Sequence, residues 1–62
     1  MNLVELTQQT GAEVMINPAQ ILYTERERSG PGSRVVLSNS EAIIVKEDLG
    51  KVAGMVNAAF HA

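Results

Sequence analysis

The residues of this chain able to do chemistry fall in two places. The first is the run Glu25-Arg26-Glu27-Arg28, with Arg34 a short turn away. Carboxylates spaced like Glu25 and Glu27 could act as general acid and base, but that work needs a cleft that splits their pKa values. Here arginines alternate with them and the polar stretch Ser29-Gly30-Pro31-Gly32-Ser33 follows, which is the pattern of a solvated strand end. The arginines read in two ways. An antiparallel return across residues 30–32 would gather Arg26, Arg28 and Arg34 at one hairpin tip, where they could bind phosphate groups or an acidic protein surface. The simpler reading is that they pair with Glu25 and Glu27 and keep a sheet edge soluble. The second place is His61, the single histidine, close to the C-terminus of a chain without cysteine. A metal site there would need a second subunit, and a frayed terminal residue is the simpler reading. There is no nucleophile–base pair, and Gly30-Pro31-Gly32 lacks the strand–turn–helix setting of a phosphate loop. The chain is expected to be non-enzymatic, with no cofactor and no metal.

The elements that position these groups must be small. Sixty-two residues make at most one domain, spanning 1–62. The apolar residues include seven alanines, and Tyr23 and Phe60 are the only aromatics. Small side chains add little buried area, so the core is thin for its length, and no disulfide staples it. At this size the balance of apolar burial against chain ordering comes out near zero. Completion of the core by a second subunit is therefore expected. The net charge of -2, with both signs mixed along the chain, argues against bulk attraction to nucleic acid or an anionic membrane. No apolar run is long enough for membrane insertion. The first residues, Met1-Asn2-Leu3-Val4-Glu5, do not read as a signal peptide. A cytoplasmic protein is expected.

Hydropathy patterning then predicts the elements. Residues 2–7 alternate as a strand with Val4 and Leu6 on one face, and residues 13–16 alternate with Val14 and Ile16 on one face. Gly11 between them suits the positive φ of a tight turn, so the pair reads as a hairpin. Asn17-Pro18 predicts a capped helical turn. A third strand from Ile21 is apolar first and charged later. Residues 34–37 return as a fourth strand, and Asn39 tolerates the left-handed geometry of the next turn. Residues 42–46 form a fifth strand, apolar on both faces, which suggests a central or helix-covered position. From Leu49 the apolar spacing becomes helical, through Val52, Ala53, Val56, Ala59 and Phe60, with Asp48 as N-cap. The expected fold is α+β: a small antiparallel sheet of about five short strands, built from hairpins, with a C-terminal α-helix packed on one face. Tyr23 and Phe60 are expected either to fill the space between the third strand and the helix or, for Phe60, to lie exposed and anchor a partner. Val52, Val56 and Phe60 are the candidate oligomer interface.

The order Leu6-Thr7, Gly11, Ile16-Asn17-Pro18 and Ile21 resembles the N-terminal half of the small FlbD-type proteins, also called swarming motility proteins. In the second half, Val36-Leu37, Asn39, Ile44-Val45-Lys46-Glu47 and Val52 are similar to the same family. Two features depart from it: Asn39-Ser40 stands where the family usually has Asn-Gly, and the longer Gly30-Pro31-Gly32 tip replaces a short turn. The resemblance implies a small cytoplasmic accessory protein of bacterial flagella, without catalytic residues. Together these readings favour a non-enzymatic protein-interaction module, homo-oligomeric and docking on a flagellar or other large assembly. The alternative is a small regulatory nucleic-acid-binding protein that uses Arg26, Arg28 and Arg34.

Overall fold

The computed structural model describes residues 2–61. Strands β1 (Val4–Thr7) and β2 (Glu13–Ile16) pair antiparallel, with Val4 opposite Ile16 and Leu6 opposite Val14. Their inward residues Val4, Leu6 and Ile16 are buried, while Glu5, Glu13 and Met15 face out. The alternation in the sequence produces this directly, because one face meets the core and the other meets water. The turn between them closes with the Gly11 N–H donating to the Gln8 carbonyl at 2.9 Å, and Gly11 has φ +95°. Asn17 then caps a single 3-10 turn, Pro18–Gln20, its Oδ1 accepting from the Ala19 N–H at 3.0 Å.

Strands β3 (Ile21–Arg26), β4 (Ser33–Leu37) and β5 (Ala42–Val45) form a second antiparallel sheet in the order β3-β4-β5. The five strands thus form two small sheets where a single one was expected. They join through one bridge, Gln8 with Val45, flanked by Lys46 N–H to the Thr7 carbonyl at 2.7 Å and Gln9 N–H to the Ile44 carbonyl at 3.2 Å. Strand β4 is the central one, and β5 lies at the margin of its sheet with only its end bridged to Gln8, just after β1. Of the two positions expected for the doubly apolar β5, central or helix-covered, the central one is thus overturned.

Helix α1 (Leu49–Phe60) starts at Asp48, whose side chain accepts from the Lys51 N–H at 2.8 Å. Val52 and Ala59 of α1 enter the common core with Val4, Leu6, Ile16, Val35 and Val45, and Met55 and Val56 pack at its margin. The core draws on both sheets and the helix, and every large member is aliphatic. Tyr23 and Phe60 stay out of it, each 49% exposed. The helix presents its apolar stripe one step away from the expected one: Met55 turns inward, whereas Ala53 and Phe60 turn outward. Tyr23 points away from the core because it sits opposite Val36, on the outer face of the sheet, after a register irregularity between Ile21 and Tyr23.

Candidate functional site: the β3–β4 tip and the seam between the sheets

The arginine run does return on itself. Glu25 pairs with Arg34 and Arg26 with Ser33 across β3 and β4. Directly opposed residues share a face, so Arg34 and Glu25 lie on the outer face while Arg26 lies on the other. At the hairpin end, a hollow of about 340 Å³ is lined by Glu25, Arg26, Glu27, Arg28, Arg34 and Ile44. The arginines are not equivalent. Arg34 donates from Nη1 to Glu25 Oε2 at 2.8 Å, the one ion pair among the described residues. Glu25 first, then the hydroxyl of Tyr23, hold the Arg34 guanidinium more firmly in its charged form. Arg26 and Arg28 have no ion-pair partner among the described residues and stand exposed. Glu27 turns to the backbone of its own turn, its carboxylate accepting from the Ser29 N–H at 3.4 Å. The tip therefore offers two free cations beside one neutralised pair, with an exposed aromatic adjoining that pair.

The base of this tip is more firmly held than its composition suggests. Gly32 and Ser33 are buried. A Cβ at Gly32 would lie 2.0 Å from the Val45 carbonyl oxygen and 3.3 Å from Gln9 Nε2, so only glycine lets the hairpin close on β5. Ser33, 0% exposed, donates its hydroxyl to the Glu47 carbonyl at 2.8 Å. Of the polar stretch 29–33, only Ser29 to Pro31 are exposed.

Glu47 is the functional-looking residue that the sequence did not announce. It stands just before the helix N-cap, where a carboxylate can complement the helix dipole. Its carboxylate instead accepts the Thr7 N–H with both oxygens, at 3.0 and 3.1 Å, forty positions away in the chain. Burial alone would push this carboxyl up, but the Thr7 N–H and the nearby Lys51 charge outweigh it and hold it below the usual range. This latch ties β1 to the β5–α1 corner. Nothing local in the sequence signals a contact of such separation.

Glu5 shows the opposite electrostatics. Its carboxyl is pushed up, chiefly by a hydrogen bond shared with the Glu13 carboxyl, then by the Glu13 charge, with smaller contributions from burial and from Glu47. Glu5 and Glu13 thus share the outer face of the β1–β2 hairpin with like charge.

The expected oligomer residues separate as well. Val52 is 1% exposed and belongs to the core. Val56 and Phe60 border an apolar groove of about 380 Å³ between α1 and β3, which Ile21, Leu49 and Ala53 also line. His61 closes the helix, its N–H donating to the Asn57 and Ala58 carbonyls. Among the described residues, no three His, Cys, Asp or Glu side chains gather as a metal site would require, and no helix is long and apolar enough to cross a membrane. Comparison with protein-family models, with curated proteins and with solved structures finds no match to this chain.

Proposed function

We propose that this chain is a non-enzymatic protein-interaction module that works as a homo-oligomer. In keeping with its resemblance to the FlbD-type proteins, we assign it to the cytoplasm as an accessory of a flagellar or other large assembly. The observation that carries the reading is the exposure of both aromatics in a chain whose core is wholly aliphatic. Phe60 stands half-exposed at the lip of the α1–β3 groove with Val56 beside it. Aromatic side chains carry the largest apolar payload available to so small a core, and leaving both outside fits a surface meant to be covered. Leu3, Met15 and Leu22 are also more than half exposed.

Light scattering after size exclusion tests this over a range of concentrations. The wild-type chain is expected to be a dimer or larger at micromolar concentration. Phe60→Asp is expected to shift it toward monomer without loss of far-ultraviolet circular dichroism. A wild-type monomer that unfolds cooperatively at every concentration contradicts the proposal.

One observation supports the second reading, nucleic-acid binding. Tyr23 is exposed on the face that holds Arg34, which puts an aromatic platform near the arginines. That reading requires binding that weakens steeply with salt. It also requires loss of binding when Arg26, Arg28 and Arg34 are replaced by alanine, and equal binding by that triple variant eliminates it.

A further inference from the structure

Two surfaces beside the seam carry opposite and uncompensated charge. One is the β3–β4 tip, where Arg26 and Arg28 are exposed and have no ion-pair partner among the described residues. The other is the outer face of the β1–β2 hairpin. There Met15, 56% exposed, lies opposite Glu5 in register, with Glu13 exposed two residues before Met15 on the same face and Leu3 exposed two residues before Glu5. This face is apolar with an acidic rim, and its carboxylates repel one another within the isolated chain. The two surfaces are close neighbours: Gly32 of the tip packs against Val45 and Gln9, Ser33 bonds to Glu47, and Glu47 bonds to Thr7 of β1.

We propose that the Arg26–Arg28 tip of one copy docks on the Glu5–Glu13–Met15 face of a second copy, and that the second copy returns the same contact. This inference rests on the homo-oligomer reading and names a contact distinct from the α1–β3 groove. The occupant is a second copy because the complementary charge is present on the chain itself. Opposite patches lying side by side also suit a two-fold pairing, in which each surface meets the other reciprocally. Arginine forks meet carboxylates with two parallel hydrogen bonds, which would relieve the repulsion between Glu5 and Glu13. The raised Glu5 carboxyl is consistent with a site kept at some expense to the lone chain. Met15 and Leu3 supply the apolar area between the charges.

The test is sedimentation equilibrium of the intact chain in low and high salt, with two charge-reversal variants, Arg26→Glu/Arg28→Glu and Glu5→Lys/Glu13→Lys. Wild-type association is expected to weaken at least tenfold between 50 and 500 mM salt, as exposed charge contacts do. Each variant alone is expected to associate at least tenfold more weakly, and an equimolar mixture of the two is expected to recover to within about threefold of wild type. The recovery matters most, because a variant that had lost its fold could not provide it; circular dichroism checks each variant separately. Association that ignores salt and both reversals, yet is abolished by Phe60→Asp, overturns this contact and leaves the homo-oligomer reading standing. A wild-type monomer under all conditions overturns both. Unchanged self-association with loss of duplex-DNA binding in the arginine variant assigns the tip to nucleic acid and overturns the contact.

Discussion

The two sheets of this molecule answer the same demand differently. The β1–β2 hairpin divides its residues cleanly, with Val4, Leu6 and Ile16 inward and Glu5, Glu13 and Met15 outward. The β3-β4-β5 sheet does not divide: Val35 and Val45 are buried on its inner side, yet Val36 is also buried on the outer side, with Tyr23 and Ala42 opposite it. A four-residue, two-stranded ribbon is marginal by itself, so the hairpin depends on the larger sheet for its stability. That dependence passes through the shared aliphatic core and through a narrow seam formed by Glu47, Thr7, Ser33, Gly32 and the bridge at Val45.

The largest expected effect breaks the seam at Gly32. Gly32→Ala places a methyl group against the Val45 carbonyl, and backbone cannot yield as a flexible side-chain end can. A loss of about 3 kcal/mol is expected in urea unfolding, close to the whole stability of so small a domain. Gly30→Ala serves as the control, since nothing lies within 4 Å of its Cβ position; it is expected to leave the unfolding midpoint nearly unchanged. Equal effects at the two glycines would show that the tip does not pack on β5.

The next expected effect loosens the seam through charge. Glu47→Gln keeps the shape but removes the charge from the Thr7 bonds, for a loss of about 1 kcal/mol after allowance for partial exposure. The sign of the pH dependence follows from the lowered folded-state pKa. The carboxylate contributes its full stabilisation above the unfolded value near 4.5, and loses it as pH falls through the lower folded value. Glu5 has a raised folded-state pKa and therefore the opposite slope, penalising the fold as pH rises through it. The difference between wild type and Glu47→Gln isolates the Glu47 contribution. That difference is expected to shrink toward zero in acid below pH 4.5, as followed by thermal unfolding; a constant difference across that range would show that the latch does not depend on ionisation.

The smallest expected effect sharpens the larger sheet without touching the seam. Ser40 has φ +73°, in the left-handed region, in the turn between β4 and β5. Ser40→Gly is expected to stabilise by about 0.5–1 kcal/mol, since relief of left-handed strain exceeds the added freedom of the unfolded chain. Destabilisation would show that the Ser40 side chain contributes more than its backbone geometry costs.

The same contrast explains what could be read from sequence. The β1–β2 hairpin, the Gly11 turn, the Asn17-Pro18 turn and the Asp48-capped helix were legible because each rests on a local rule: alternation, positive φ or a side-chain cap. The turn after β4 was legible except for its left-handed residue, which is Ser40. Asn39 holds the turn differently, accepting the Glu41 N–H through Oδ1 at 3.0 Å. Tyr23 was expected inside and lies outside, and Phe60 admitted two positions, because apolar character does not say which of two apolar faces is covered. The central position considered for β5 fails for a related reason, since apolar residues on both faces do not say how many strands lie beside them. The candidate arginines were legible as a tip. Their division into a paired Arg34 and free Arg26 and Arg28 depends on cross-strand register, which alternation along one strand does not determine. Glu47 was invisible because its partner is forty residues distant.

The central claim is that this chain completes itself with another copy. Multi-angle light scattering on the wild-type protein, across a hundredfold concentration range at low salt, tests it most directly. The account expects a mass of at least twice 6.7 kDa at micromolar concentration, falling toward a single chain on dilution. A mass of one chain at every concentration, with cooperative thermal unfolding, would contradict it.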